Sequence, residues 1–222
     1  MVGNFGANDV ITMAHGSGGQ AGHELMEKIL LPAFDNPILR EMHDGAKLDL
    51  SANKIAFTTD SYVVKPLFFA GGNIGKLAVC GTVNDLAMTG AIAKYISVGM
   101  IIEEGFPLKD LQEIVTTMRK AADEAGVYIV TGDTKVVNKG CADGIFINTA
   151  GVGERIEGVE ISPLKAKSGQ NIIVSGCVLV CHFHAQFNAF LFQQLCNTHV
   201  YTSFYISICF FMPIFYFIVS LL

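Results

Sequence analysis

Apolar residues recur at helical spacing in two parts of the chain. Residues 21–34 carry Leu25, Met26, Ile29, Leu30 and Phe34 three or four positions apart, which predicts an amphipathic helix. A second helix is predicted to begin at Pro107 and to end at Gly126, a residue suited to a C-terminal cap. The apolar stripe of this second helix comprises Leu108, Leu111, Ile114, Val115, Met118, Ala122 and Ala125.

Shorter apolar runs between these helices predict strands. They cover residues 53–64, 95–102, 127–130, 145–152 and 171–175, and the run at 127–130 leads into Thr131-Gly-Asp133. The turn Gly71-Gly-Asn-Ile-Gly75 should open a further helix that extends to about residue 89. Strands interspersed with helices place residues 1–176 in the α/β class.

The composition changes sharply at residue 177. Residues 177–222 contain no glycine and no Asp, Glu, Lys or Arg, although they are rich in Phe and Tyr. Residues 200–222 are long and apolar enough for a transmembrane segment, but no basic residue flanks them. Three interpretations stay open: translated non-coding sequence, a membrane anchor, or a buried element of a soluble core. We expect this tail not to belong to the fold.

Charge and cysteine usage restrict the functional class. A net charge of −5 argues against a nucleic-acid partner, which would require clustered Lys and Arg. The first residues do not resemble a signal peptide, so we expect a cytoplasmic protein with reduced thiols and Cys80 and Cys141 as small apolar fillers. The tail contains possible zinc ligands, but its apolar surroundings argue against zinc: Cys177, Cys181, His182, His184, Cys196 and His199.

Three aspartates are candidate metal ligands. Asp60 and Asp133 are expected where apolar strands give way to a sheet edge or cleft, and Asp85 lies in Val83-Asn-Asp-Leu86. Mg²⁺ is commonly bound by a few carboxylates together with water and nucleotide phosphates. The alternative is that each aspartate caps a helix or a turn, which is the commoner use of a single Asp.

Two glycine-rich turns are candidate phosphate sites. His15-Gly-Ser-Gly-Gly19 and Gly71-Gly-Asn-Ile-Gly-Lys76 both precede predicted helices, whose exposed N–H groups attract anions. Lys76 and Lys135 could each add a positive charge. Neither turn has the spacing of a P-loop or of G-x-G-x-x-G, and both could be simple turns.

Four segments, in order along the chain, resemble the HypE family of hydrogenase-maturation proteins. They are Ala14-His-Gly-Ser-Gly-Gly-Gln20, the stretch from Phe57-Thr-Thr-Asp60 to Gly75-Lys76, Cys80-Gly-Thr-Val-Asn-Asp-Leu86 with the residues up to Ala91, and Ile129-Val-Thr-Gly-Asp-Thr-Lys135 with Phe146-Ile-Asn-Thr-Ala-Gly151. The resemblance covers about residues 9–176.

The resemblance implies a PurM-like N-terminal domain, related to aminoimidazole-ribonucleotide synthetase, with a mixed sheet and flanking helices. This domain would occupy residues 1–160, a shortened second domain would begin at 161–176, and the tail would occupy 177–222. Members bind ATP and Mg²⁺ in this domain and dimerise through its sheet. Transferred by motif, the metal ligands are Asp60, Asp85 and Asp133. The implied ATP-site residues are Ser17, Gly18, Gly19, Asn73, Lys76, Asn84, Thr134 and Lys135.

The resemblance also implies a reaction. Family members receive a carbamoyl group from HypF on a C-terminal cysteine, use ATP to dehydrate the thiocarboxamide to a thiocyanate, and pass cyanide through the HypC–HypD complex to nickel–iron hydrogenase. None of the six cysteines here lies at that C-terminal position. We therefore expect the chain to keep the ATP-binding homodimer but not to complete the reaction. The alternatives are a non-catalytic dimerisation or HypF-docking module, tethered to a membrane only if the tail is real, or another PurM-like enzyme such as selenophosphate synthetase, thiamine-monophosphate kinase or the purine-pathway enzyme.

Overall fold

The computed structural model describes residues 9–17, 19–41, 45–165 and 168. Its main sheet has four strands in the order β1 (Ile55–Tyr62), β6 (Ile145–Arg155), β4 (Ala91–Glu103) and β5 (Tyr128–Val137). The pairs β1–β6 and β6–β4 are antiparallel and β4–β5 is parallel. A separate two-stranded ribbon joins β2 (Phe68–Phe69) to β3 (Gly72–Asn73). The predicted mixed sheet is therefore confirmed.

Helices cover one face of this sheet. α3 (Ile74–Met88) contacts β1, β6 and β4 on one side and α4 (Leu108–Ala125) on the other. Since it is covered from both sides, α3 is apolar around most of its circumference, whereas α4 has the single apolar stripe that its sequence predicts. The core includes Ile74, Val79, Leu86, Ile96, Ile102, Leu111, Ile114, Met118, Ile145 and Ile147.

The ends of α4 follow from local chemistry. Pro107 occupies the N-cap with extended backbone, and Gly126 ends the helix with φ of 67°. That left-handed conformation is strained for a residue with a Cβ, so glycine suits the position. Both predicted boundaries of this helix are confirmed.

The N-terminal helix differs in detail from its prediction. Residues 20–34 are helical throughout, but α1 (Gln20–Leu25) and α2 (Leu31–Phe34) are joined by a π-helical turn at Met26–Leu30. The wider turn places Ile29 and Leu30 in the core. This segment packs beside β5 and α4.

Two strands are longer than their sequences predict. β4 begins at Ala91 rather than Tyr95, and β5 continues through Gly132 and Asp133 to Val137. Pairing with β4 keeps β5 extended despite its glycine, because neighbouring strands outweigh local propensity. Asp133 thus lies inside β5 rather than after a strand that ends at residue 130, whereas Asp60 lies inside β1, within the range 53–64 predicted for that strand.

Some predictions lie outside the described residues. These are the strand at 171–175, the possible zinc ligands and the apolar tail at 177–222. Among the helices that can be described, none is both long and apolar enough to cross a membrane.

Candidate functional site

One group of predicted residues meets between β1 and α3. Side chains alternate along β1, so Thr58, Asp60 and Tyr62 share the side that faces the helix. On α3, Thr82 and Asp85 are three residues apart and therefore share one helix face. We refer to these five residues as the β1–α3 cluster.

Asp85 is held by a hydroxyl and lies close to a second carboxylate. The Thr58 hydroxyl donates to Asp85 Oδ2 over 3.2 Å. Burial raises the pKa of Asp85, the hydrogen bond from Thr58 lowers it, and the negative charge of Asp60 raises it further. The cluster therefore concentrates negative charge in a partly desolvated place, which suits a bound cation.

Asp60 and Tyr62 complete this arrangement. The backbone N–H of Ser61 donates to Asp60 Oδ1 over 2.7 Å, and Tyr62 lies two residues further along the same face of β1. Burial raises the pKa of Tyr62, and the charges of Asp60 and Asp85 raise it further, against a lowering by the hydrogen bond with Thr82. Tyr62 is consequently a neutral hydroxyl at physiological pH.

A short chain of buried hydroxyls lies behind the carboxylates. Thr82 Oγ1 is 3.4 Å from the Tyr62 hydroxyl, donates to the carbonyl of Ala78 over 3.0 Å, and contacts the hydroxyl of Thr149 on β6. Thr82 and Thr149 have no exposed surface. Buried hydroxyls joined in this way fix one another's orientation.

Asp133 belongs to a different part of the molecule. It forms an exposed ion pair with Lys135, with 3.2 Å between Lys135 Nζ and Asp133 Oδ1. In the sheet register, Asp133 on β5 pairs with Gly99 on β4, and Gly99 pairs with Asn148 on β6. Asn148 in turn pairs with Ser61 on β1, the residue next to Asp60. Three strand spacings separate the Cα atoms of Asp60 and Asp133 by about 14 Å, whereas Mg²⁺ lies about 2.1 Å from each ligand oxygen.

A single copy of the chain therefore brings together two of the three predicted metal ligands. Asp60 and Asp85 share the β1–α3 cluster, and Asp133 lies at the opposite edge of the sheet. Across the part of the chain that the structure covers, no three His, Cys, Asp or Glu side chains converge closely enough to hold a metal ion.

A cavity of about 770 Å³ lies between β5 and the N-terminal helical segment. Its polar rim includes Ser17, Asp133, Thr134 and Lys135, four of the residues that the motifs single out. Leu30, Phe34, Met100 and Ile129 are among the apolar residues of its wall. A pocket of this size with a few polar groups at its rim suits a small molecule the size of a nucleotide.

The glycine-rich N-terminal turn lies beside this cavity. Ser17 Oγ donates to the carbonyl of Ala14 over 2.9 Å, and Gly19 is the N-cap of α1. Gly18 lies outside the described residues. The structure therefore places Ser17 and Gly19 near β5 rather than near the β1–α3 cluster.

The second glycine-rich turn has a structural role at the start of α3. Buried Asn73 accepts hydrogen bonds from the N–H groups of Gly75 and Lys76, at 2.9 and 3.2 Å, and its amide donates to Thr117 on α4. The Lys76 ammonium donates to the carbonyl of Gly71 over 3.0 Å. Asn84 lies half-buried on α3 immediately before Asp85.

The sheet face opposite the helices is apolar and exposed. One row of the sheet register crosses all four strands and consists of Phe57, Val152, Tyr95 and Tyr128. Phe57 is 66% exposed and Tyr128 54%. A contiguous apolar surface on a soluble domain commonly marks a protein interface.

Comparison with protein families identifies this fold. The model of the AIR synthase related protein N-terminal domain matches residues 42–155, about half of the chain. The chain belongs to this family. In this AIR synthase related chain, the matched region contains β1, α3, β4, α4, β5 and β6, and with them all three predicted metal ligands.

Three related proteins share about half of their aligned residues with this chain. The carbamoyl dehydratase HypE of Escherichia coli strain K12 is 50% identical over 171 residues, which are 75% of this chain and 51% of that protein. A crystal structure of hydrogenase maturation protein HypE in complex with ATP matches with a TM-score of 0.69 and 51% identity, over 71% of this chain and 47% of that one. A HypE–HypF complex matches with a TM-score of 0.52 and 56% identity, over 65% and 47% of the two chains.

The AIR synthase related chain thus spans about half the length of the curated relatives that it matches. The resemblance to HypE that the four motifs indicate is confirmed over that half. The roles of individual site residues stay predictions.

Sequence reasoning missed several residues of the site. Thr58 and Tyr62 flank Asp60 at two-residue spacing, and this alternation is the one signal that could have placed them on the same face. Thr82 and Thr149 carry no such signal, because α3 and β6 are brought together only by the fold. Cys141 is exposed, so its expected role as an apolar filler is wrong, whereas Cys80 packs against the core as expected.

Proposed function

We propose that this chain supplies the ATP-binding half of a HypE-type carbamoyl dehydratase. The observation that carries the proposal is its 51% identity, at a TM-score of 0.69, to a HypE whose structure is a complex with ATP. The whole protein would use ATP to dehydrate a carboxamide on a cysteine sulfur to a thiocyanate. That product would supply the cyanide ligands of nickel–iron hydrogenase.

The chemistry explains why ATP is needed. The oxygen of an amide is a poor leaving group, and transfer of the γ-phosphoryl group to it creates phosphate, a good one. Loss of phosphate together with the protons on nitrogen then leaves a nitrile. Catalysis of phosphoryl transfer consists mainly of positioning the two reactants and stabilising the charge on the phosphoryl group.

Two copies of the chain account for the separation of the predicted ligands. β1 and β5 are the outer strands of the four-stranded sheet, and each bears one part of the ligand set. In a homodimer formed through the apolar sheet face, β1 of one copy could lie beside β5 of the other. Burial of Phe57 and Tyr128 would stabilise such a dimer, and pairing of the edge strands would satisfy their free backbone groups.

Within this composite site each part has its own role. Asp60 and Asp85 would hold Mg²⁺, since oxygen donors in a region of concentrated negative charge suit that cation. Mg²⁺ supplies charge neutralisation to the phosphates when it is bound. Lys135, Thr134 and Ser17 of the second copy would contact the triphosphate, and Asp133 would orient Lys135 through their ion pair.

Calorimetry of the full chain with ATP in the presence of Mg²⁺ tests this proposal. We expect measurable binding, weakened by about 1–3 kcal/mol in Asp85→Ala and in Asp133→Ala, the scale of a lost charged partner. Asp143→Ala is the matched control because the Asp143 carboxylate forms an exposed ion pair with Lys65. Absence of ATP binding by the wild type, or unchanged affinity in both folded variants, would contradict the proposal.

Docking to HypF without catalysis is a second candidate function, favoured by the 56% identity to HypE in the HypE–HypF complex. A role in passing cyanide to a HypC–HypD complex belongs to the first proposal. The two functions separate experimentally: a docking module binds HypF equally well as wild type and as Asp85→Ala, and it shows no Mg-ATP binding in either form.

A further inference from the structure

His15 borders the cavity beside β5, but the proposed function assigns it no contact with a ligand. It lies in a short 3-10 turn, Met13–Gly16, which precedes α1. A Cβ on Gly16 would come within 2.8 Å of the backbone nitrogen of Val136, so this turn lies directly against β5. The imidazole of His15 therefore shares the rim of the cavity with the polar residues Ser17, Thr134 and Lys135.

One ring nitrogen of His15 is fixed as an acceptor. The backbone N–H of Thr12 donates to Nδ1 of His15 over 2.9 Å. A backbone amide can only donate, so Nδ1 carries no proton, and the proton of the neutral ring is assigned to Nε2. The Thr12 hydroxyl is also 2.9 Å from Nδ1, and it receives no proton from that nitrogen for the same reason. The turn thus fixes both the tautomer and the orientation of the ring.

The Nε2–H group of His15 has no hydrogen-bond partner within the part of the chain that the structure describes. Glu24 on α1 is not such a partner, because its two carboxylate oxygens accept from Gln20 at 3.2 Å and from Lys28 at 2.9 Å. The hydroxyl of Ser17 already donates to the carbonyl of Ala14. His15 therefore offers the rim an uncharged donor whose direction is set before any ligand binds.

We propose that His15 is a ligand-binding residue of this cavity and that its Nε2–H donates to a phosphate oxygen of ATP. The inference rests on the proposed function, since the cavity must hold the nucleotide. The phosphates belong at the rim because Lys135 adds positive charge there, whereas the wall behind it is apolar. A hydrogen bond to a charged oxygen is a strong one, and a donor that is already fixed loses little conformational freedom when the bond forms.

Nuclear magnetic resonance of the full chain, labelled with nitrogen-15 at histidine, tests the tautomer directly. A long-range correlation between ring nitrogens and ring protons distinguishes a protonated nitrogen from an unprotonated one. The signals that are missing from His15→Asn or from His15→Gln identify His15. We expect an unprotonated Nδ1 and a protonated Nε2 at neutral pH, and a shift of the Nε2 signal when ATP and Mg²⁺ are added. A proton on Nδ1, or an Nε2 signal that bound ATP does not move, would overturn the inference.

Two substitutions separate the donor of His15 from its acceptor. Asparagine keeps an oxygen near the position of Nδ1 for the N–H of Thr12, and it has no group in the place of Nε2. By calorimetry at saturating Mg²⁺, we expect His15→Asn to raise the Kd for ATP about 5- to 50-fold, the scale of one hydrogen bond to a charged oxygen. His15→Gln, whose longer amide reaches the place of Nε2, should recover part of this affinity.

His23→Asn is the matched control, because it makes the same substitution in the same cavity. His23 also borders the cavity, but its Nε2 lies 3.1 Å from Glu27 Oε1 and is already engaged. His23→Asn should therefore bind ATP as tightly as the wild type. An equal loss of affinity in His23→Asn and His15→Asn would point to a general effect of the cavity surface and would overturn the inference.

The outcomes distinguish this inference from the proposed function. If the wild type binds no ATP, the proposed function fails, and the assignment of the phosphate fails with it. If the wild type binds ATP and folded His15→Asn binds it equally tightly, His15 does not contact the nucleotide and the proposed function stands. If His15→Asn does not fold, the response of the Nε2 signal to ATP in the wild type decides.

Discussion

Glu154 on β6 accepts hydrogen bonds from a segment that lies far away in the sequence. One of its carboxylate oxygens accepts from the N–H and the hydroxyl of Ser51, at 2.6 and 2.9 Å, and from the N–H of Ala52 at 3.3 Å. Lys94 lies 3.6 Å from the other oxygen. These contacts tie the segment before β1 to the centre of the sheet.

The bonds to Glu154 predict a pH dependence of stability. Donation by the Ser51 backbone and hydroxyl and by the Ala52 backbone, together with the positive charge of Lys94, holds the pKa of Glu154 below its usual value of 4.5. A depressed carboxyl pKa stabilises the folded state above the pKa of the unfolded state, and the contribution is lost as the pH falls through the folded pKa. We expect Glu154→Gln to melt at a lower temperature than the wild type at neutral pH.

Melting curves from pH 7 to pH 3 measure this effect. The difference between wild type and Glu154→Gln should be constant above about pH 5 and should shrink below pH 4.5, because a protonated Glu resembles Gln. Glu113→Gln, at an exposed position on α4, is a suitable control. A difference that persists unchanged at pH 3 would contradict the role of the ionised carboxylate.

At the scale of single residues, the sequence predicted which side chains are candidates for function better than it predicted where those side chains lie. Asp60, Asp85 and Asp133 stand out because their motifs are distinctive, and the structure brings two of them together. The positions of Thr82 and Thr149 beside this cluster could not be predicted from the sequence, since each is a buried hydroxyl whose partners come from other elements. Cys141 was misjudged because a cysteine in a turn has no periodic pattern that reports its exposure.

Among the elements, α3 depends most clearly on one residue outside itself. Asn73 caps its first turn through Gly75 and Lys76 and also ties it to Thr117 on α4. We expect Asn73→Ala to lower the free energy of unfolding by about 0.5–2 kcal/mol, the usual cost of losing an N-cap. Urea denaturation followed by circular dichroism measures this change.

The variant Asn73→Asp distinguishes the capping role of Asn73 from a role in nucleotide binding. Aspartate retains the accepting oxygen of the cap but loses the amide donor to Thr117, so Asn73→Asp should be destabilised by less than Asn73→Ala. A loss of ATP affinity in folded Asn73→Asp would support the predicted place of Asn73 in the nucleotide site. Equal destabilisation by Ala and Asp would contradict the capping role.

Element prediction succeeded where periodicity was long and failed where pairing decided the outcome. The stripe of α4 fixes both its length and its buried face, and both are confirmed. The ends of β4 and β5 were misplaced because strand ends are set by the neighbouring strand rather than by local pattern. The β2–β3 ribbon is too short for an alternating pattern to reveal it.

For the whole molecule, a composite site predicts complementation between two variants with weakened ATP binding. In the proposed homodimer, Asp85→Ala and Asp133→Ala would each damage every site. A heterodimer of the two contains one site with both changes and one site with neither. A 1:1 mixture, dissociated and reassociated at random, should recover wild-type Mg-ATP affinity at about a quarter of its sites.

Calorimetric stoichiometry of the mixture measures the recovery. A mixture of Asp85→Ala with Asp60→Ala is the control, because both residues belong to one cluster and no intact site can form between the copies. Recovery in this control, or none in the test mixture despite proven exchange of subunits, would contradict a site shared between two copies.

The strand order is what the sequence could not provide. Local patterns predict which residues form strands, but the order β1-β6-β4-β5 arises from contacts across the whole domain. This order, rather than any motif, separates Asp60 from Asp133. The family resemblance implied the mixed sheet and the dimer, and it left the arrangement of the three acids within one chain unspecified.

The position of β6 has a consequence for synthesis of the chain. In the described sheet β1 has β6 as its one neighbour, and the Thr59 hydroxyl on β1 donates to the carbonyl of Thr149 on β6, 90 residues away in the sequence. A chain emerging from the ribosome amino end first exposes β1 long before its partner strand exists, while β4, α4 and β5 can already associate. β6, the last of the described strands, must then join β4 to β1 in the middle of the sheet. Nascent chains that stall before residue 145 therefore present β1 and the β6-facing edge of β4 unpaired to chaperones or to one another.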